Sequence, residues 1–370
     1  MTPPLGLRRL PVTVEPVPGE SLRSLIEQTA RTHQVPVQAI LNTAGFRISG
    51  NAGHTLGLLD GDAGAHAPSL AAVLGLSIEQ VEATTLRGSN DSTTIAQDDG
   101  KPVHLGWGTA APGRHCTRCL AENGGRWLLT WLSPWTLLCP RHQVLLAVRC
   151  HACRRAPRGG TTAPNGVLPL GYRCSEPTFD AAGRRDGTLC RADLTAVATS
   201  RAGTYAMIGQ AFVDDLRSLP PHVAPATPAG DSARVQDHLQ DLRLLARHMH
   251  TVVMNGDYEM SGREARTWRT WTAHRDRTST LLPNVGTSRN LSVRNRSDPE
   301  TDAYATAVGL AAVIIGAPDV TAAYDLLRPA VRSAQSGARE QRWRYQIKKA
   351  WASEDAAQWL LDALDYNAEV

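Results

Sequence analysis

Between Ser21 and Ala30 the chain places Leu22, Leu25, Ile26 and Thr29 at i, i+3, i+4 and i+7, which predicts an amphipathic helix. A second helix begins at Pro36, carries Val37, Ile40, Leu41 and Ala44 on the same period, and is stopped by Gly45. Leu70 to Val81 then reads as a helix, a turn at Gly75 and another helix, whose start Ser77 and Gln80 mark as a capping box. Ala71, Gly75 and Val81 have the small, turn and apolar character of a helix-turn-helix, in which two helices approach closely. Such a pair either reads DNA or serves only as scaffold.

Further along, Trp127, Trp131 and Trp135 recur every four residues, which places them on one helical face up to Pro134. Core packing is the favoured role for them, ahead of base stacking. Ser218 to Gly230 has the proline density of a semi-rigid linker. Beyond it Val235, Leu239, Leu242, Leu245, Met249 and Val252 or Val253 fall at helical spacing. Asp298-Pro299 opens another helix running to Gly316, and Pro318-Asp319 opens a third. The expected architecture is mainly α. A helix-turn-helix-like region spans 1–100, a double zinc-finger region with small β and knuckle elements 101–200, a linker 201–230, and a helical bundle without convincing strands 231–370.

Composition narrows the picture. The 370 residues exceed one typical domain of roughly 100–200 residues. Their longest apolar stretch, Ala307 to Ala317, is far short of the ~20 residues a membrane span needs. The first eleven residues lack a charged segment followed by an apolar run, so the expected location is the cytoplasm. Net charge is +4, yet residues 101–200 hold 13 Lys/Arg against 5 Asp/Glu. Clustered basic charge suits a phosphate-rich partner and equally a solvated face.

All seven cysteines, at 116, 119, 139, 150, 153, 174 and 190, lie in that segment. In a cytosolic chain such clustering indicates metal ligation, and an odd number argues against complete disulfide pairing. Adding one histidine resolves the parity. Cys116-Thr-Arg-Cys119 and Cys139-Pro-Arg-His142 are two knuckles, each with two intervening residues, which lets both side chains face one ion at ~2.0–2.3 Å. Cys150-His-Ala-Cys153 repeats the opening, and Cys174 with Cys190 completes a second set. Two zinc ions then account for every cysteine, with His115 and His151 ranked as non-ligands. Four protein ligands leave no position for water, so both ions are expected to be structural. The spacing of the last ligands does not fit a cross-braced RING arrangement.

Several basic residues are candidates for nucleic-acid contact. Arg114, Arg118, Arg154 and Arg155 flank the knuckles. Arg263, Arg266 and Arg269 recur among Trp268 and Trp271, and Arg342, Arg344, Lys348 and Lys349 surround Trp343 and Tyr345. Interleaved aromatic and basic residues suit backbone contact with stacking, or form a solvated face over a buried tryptophan. No phosphate-binding glycine loop, nucleophile elbow or metalloprotease helix is present in the sequence, and no enzymatic activity is expected.

Leu10-Pro-Val-Thr-Val-Glu-Pro-Val-Pro-Gly-Glu-Ser-Leu-Arg-Ser24 resembles the start of TniQ-family transposition proteins. Cys116-Thr-Arg-Cys119-Leu-Ala-Glu-Asn-Gly-Gly, the tryptophan segment, Leu138-Cys139-Pro-Arg-His142 and Cys150-His-Ala-Cys153 are similar to that family's zinc segment. The resemblance covers roughly residues 8 to 200 and carries over Cys116, Cys119, Cys139, His142, Cys150 and Cys153 residue by residue. It implies a target-selection adaptor of a Tn7-like or CRISPR-associated transposition system. Such an adaptor joins target DNA or a CRISPR effector complex to an AAA+ ATPase. The short apolar stretches predict no membrane partner, and a homodimer is among the allowed assemblies. A zinc-stabilised, sequence-specific transcription regulator is the alternative reading of the same features.

Overall fold

The computed structural model describes residues 9–46, 61, 63–87, 96–98, 101–103, 114–133, 135–158, 170–180, 184–219 and 298–315. It also describes residues 239, 241, 242, 245, 246, 249, 250, 341, 344, 345, 358, 361 and 362. The periodic segment near the N-terminus forms helix α1 (Leu22–Thr32). Ser21 caps it by accepting from the Ser24 amide at 3.3 Å. Leu22, Leu25 and Ile26 are completely buried. Helix α2 (Val37–Thr43) follows Pro36, and at its end Gly45 takes a positive φ of 86°, which glycine adopts without strain.

The expected helix, turn and helix are present as α3 (Ala67–Leu74) and α4 (Ile78–Glu82), with Gly75 in the left-handed region between them. Both halves of the capping box form. The Gln80 side chain accepts from the Ser77 amide at 2.8 Å, and the Ser77 hydroxyl accepts from the Gln80 amide at 3.1 Å. Leu70, Val73 and Val81 share the core of α1 and α2. Helix α4, however, is only five residues long, and it exposes Ile78, Glu79, Gln80 and Glu82. Two carboxylates on that face oppose the approach of a phosphate backbone, so the pair fits a scaffold better than a DNA reader.

Strands β1 (Ala96–Asp98) and β2 (Lys101–Val103) pair antiparallel, a hairpin lying across the 100/101 boundary expected between two domains. Next comes the short helix α5 (Thr117–Glu122). The tryptophan segment departs from expectation. Among its described residues Leu129–Leu132 alone is helical, as a single 3-10 turn, so the three indoles do not line an α-helical face. They are nevertheless buried, as core packing requires. Trp127 Nε1 donates to the Gly171 carbonyl at 2.8 Å, and the Trp127 and Trp131 rings meet edge to face at 5.7 Å. Strands β3 (Leu138–Cys139) and β4 (Val144–Leu145) pair with Cys139 opposite Val144, while β5 (Pro177–Phe179) pairs with β6 (Arg185–Leu189).

Residues 204–218, expected to belong to a linker, form the fifteen-residue helix α6 (Thr204–Ser218). Its periodicity is partly hidden because the buried positions include Ala206, Gly209 and Gln210 beside Val213 and Leu216. Gln210 Oε1 accepts from the Leu137 amide at 3.0 Å, and Arg217 donates to the hydroxyls of Ser133 and Thr136 at 2.7 and 2.8 Å. The same helix crosses α7 (Asp298–Ile315), the element that Asp298-Pro299 opens as expected. Contact is at backbone distance. A Cβ added at Gly209 would sit 2.7 Å from the Gly309 amide nitrogen, and one at Gly309 would collide with the Tyr205 carbonyl.

Of the periodic positions after the linker, Leu239, Leu242, Leu245 and Met249 are helical and buried, whereas Val235, Val252, Val253 and the helix expected at Pro318 lie outside the described residues. Among the described residues no helix is long and apolar enough to cross a membrane.

Candidate metal centres

Cys116 is the N-cap of α5, and Cys119 lies one turn into it, so the helix itself brings the two sulfurs to one side. The opposing knuckle is a tight turn off β3, closed by the Gln143 amide donating to the Cys139 carbonyl at 2.7 Å, with Gln143 at a positive φ of 52°. Together they converge Cys116, Cys119, Cys139 and His142. His142 Nδ1 lies 3.3 Å from the sulfurs of Cys116 and Cys119 and 3.5 Å from that of Cys139, and the Cys119 and Cys139 sulfurs are 3.6 Å apart. Metal–sulfur bonds of ~2.3 Å and metal–nitrogen bonds of ~2.0 Å give a tetrahedron with edges of about 3.5–3.8 Å. The observed separations match those edges and exceed any S–S bond of ~2.05 Å.

A second convergence brings together Cys150, Cys153, Cys174 and Cys190. The Arg154 amide donates to the Cys150 carbonyl at 3.0 Å and folds the first pair into a knuckle. Fifteen residues separate Cys174 from Cys190, and the β5–β6 pairing cancels that distance. The Cys190 amide donates to the Glu176 carbonyl at 2.8 Å, and the Arg191 amide to the Cys174 carbonyl at 3.0 Å. Sulfur pairs Cys150–Cys190 and Cys153–Cys174 are each 3.7 Å apart, again a tetrahedral edge. Thus the four positions expected to form the second set do meet.

The sulfurs are electrostatically unequal. A hydrogen bond from the Cys116 thiol pulls Cys139 down to about 5, while that bond and burial push Cys116 up. Burial raises Cys119 to about 11. In the second set the Cys174 thiol holds Cys153 at about 5 and is itself raised, chiefly by that bond and then by burial. Crowded sulfurs repel a second negative charge, and a divalent cation between them removes that penalty and displaces the remaining protons. An all-thiolate or thiolate–imidazole tetrahedron suits zinc, which would hold the surrounding loops together with no coordination position left open.

His115 is buried against Trp127 and pairs its backbone with Ala147, and His151 is exposed; neither reaches a cluster. Sequence reasoning missed Glu122, whose Oε1 lies 3.1 Å from His142 Nε2 and whose Oε2 lies 3.0 Å from Arg141 Nη1. It also missed the charges that fasten α1 to this segment. Glu20, fully buried, pairs with Arg126 at 2.6 Å and accepts from the Ser24 hydroxyl at 2.7 Å. Glu27 meets Arg158 at 2.5 Å and Arg23 at 2.9 Å, and the Arg158 guanidinium also covers the Trp127 ring at 4.7 Å. Backbone bonds add to the seam, from Ser21 to Trp127 and from Leu129 to Gly19. The acidic residues within Glu20-Ser21-Leu22-Arg23-Ser24 and at Glu27 were the available signal, since an apolar helix face has no other use for them.

Among the candidate nucleic-acid residues, Arg118, Arg154 and Arg155 are exposed near the clusters, and Arg155 stacks on the Phe179 ring at 3.7 Å. Arg114 must be withdrawn. It is 2% exposed, and its Nη1 donates to the Thr136 carbonyl at 2.8 Å, a role inside the core. Arg344 is helical and half-buried, whereas Arg263, Arg266, Arg269, Arg342, Lys348 and Lys349 lie outside the described residues.

No curated protein and no solved structure matches the chain. Residues 11–146 match the family model TniQ, a span that takes in α1, the seam it makes with Trp127 and all four residues of the first cluster. Over that span the chain is similar to the TniQ family.

Proposed function

We propose that this protein is a target-selection adaptor of a Tn7-like or CRISPR-associated transposition system, linking target DNA or a CRISPR effector to an AAA+ ATPase. The TniQ match over residues 11–146 carries the reading. Two structural zinc ions, one on Cys116, Cys119, Cys139 and His142 and one on Cys150, Cys153, Cys174 and Cys190, hold the adaptor's framework. The ions supply crosslinking and no turnover. Their tetrahedra are filled by protein, and the chain acts in the cytoplasm as a recruiter rather than an enzyme. Exposed Arg118, Arg154 and Arg155 supply basic charge on the loops around the clusters for nucleic acid. The carboxylates on α4 speak against a regulator that reads DNA through the α3–α4 pair.

The reading is tested by incubating the purified, zinc-loaded protein with an AAA+ ATPase of a Tn7-like transposition system and with genomic DNA fragments at moderate salt. Retention of the ATPase is expected. Selective retention of one fragment without any ATPase binding would replace the adaptor with the transcription regulator.

A further inference from the structure

Glu122 ends α5, three residues after Cys119 as Cys119 is three after Cys116, so the three side chains follow one strip of the helix. A carboxylate in the last turn of a helix faces the negative end of the dipole, so this position does not favour the helix. What it does reach is His142. The three sulfurs surround Nδ1 at 3.3–3.5 Å, leaving Nε2 as the only other ring nitrogen, and Glu122 Oε1 stands 3.1 Å from it. The His142 side chain is 11% exposed and that of Glu122 42%, so the ring end of the bond is shielded while the carboxylate end meets water. Arg141, the residue before His142, meets the other carboxylate oxygen at 3.0 Å from the solvent side.

We propose that Glu122 is a positioning residue of the first metal centre, selecting the His142 tautomer that presents a bare Nδ1 to the cation. A proton kept on Nε2 by the carboxylate leaves the Nδ1 lone pair free, and the partial negative charge passed to the ring makes that nitrogen a stronger donor. Arg141 supports Glu122 from the exposed side and contributes little by itself, because a pair in water is worth little. This inference rests on the metal reading above, and it adds a fifth residue outside the coordination sphere.

The test is chelator competition on the full chain, with cobalt substitution to identify the site by its absorption, since three sulfurs with one nitrogen and four sulfurs give different spectra. Glu122→Ala is expected to weaken the Cys116, Cys119, Cys139 and His142 site roughly 10–100-fold and to leave the four-cysteine site unchanged. Glu122→Gln, which keeps an acceptor but no charge, is expected to lose less, and Arg141→Ala least. Wild-type affinity in both Glu122 variants would overturn the role of Glu122 while leaving the metal centre standing. Failure of the unsubstituted chain to bind cobalt through three sulfurs and one nitrogen would overturn both together.

Discussion

At Glu27, burial favours the neutral acid, but the charges of Arg158, Arg23 and Arg31 overturn that preference and hold the carboxyl at about 2 instead of 4.5. The folded state therefore binds the proton less readily than the unfolded chain. Stability from this group is full above pH 4.5 and is lost as pH falls toward 2, an effect on the order of 3 kcal/mol. Glu27→Gln removes a buried charge on which three guanidinium groups act and is expected to cost about 3–5 kcal/mol near neutral pH. Urea unfolding of both chains from pH 6 to pH 3 measures this, because metal loss in acid affects both alike. The gap between them is expected to narrow as pH falls, and a constant gap would contradict the assignment.

Elements whose residues announced themselves locally were legible in the sequence. Helix α1 follows from its apolar spacing, α3 and α4 from a glycine and a capping box, and α7 from Asp298-Pro299. Helix α6 was not legible, because the face it buries includes Gly209 and Gln210, chosen for a neighbouring backbone and for the Leu137 amide rather than for apolarity. The tryptophan segment misled for a related reason. Indoles spaced by four suggest a helix, yet the Trp127 ring is held by a tertiary partner, the Gly171 carbonyl, which local periodicity does not reveal. The α6–α7 crossing makes a prediction whose sign decides. In an isolated helix Gly309→Ala would gain about 1 kcal/mol, but here the new Cβ meets the Tyr205 carbonyl, so a loss of about 1–3 kcal/mol is expected. Thermal unfolding distinguishes the two, and a rise in Tm would remove the close approach.

Across the whole molecule, the two convergent Cys/His sets were readable because thiol chemistry leaves a signature in cysteine spacing that does not depend on the fold between knuckles. The long-range charge pairs between the N-terminal and cysteine-bearing segments were not legible. Charge pairs such as Glu20–Arg126 and Glu27–Arg158 join residues more than a hundred positions apart, and no local pattern records their partners. Those pairs fasten α1 to the segment that carries the clusters, since Arg126 lies between the knuckles of the first and Arg158 follows the opening pair of the second. We propose that two metal ions organise that seam. The most direct test is the metal content of the purified full chain beside Cys139→Ser and Cys174→Ser. Two equivalents of zinc per wild-type chain and one in each variant are expected. Zinc-free wild-type protein that melts as cooperatively as the loaded form would contradict the claim.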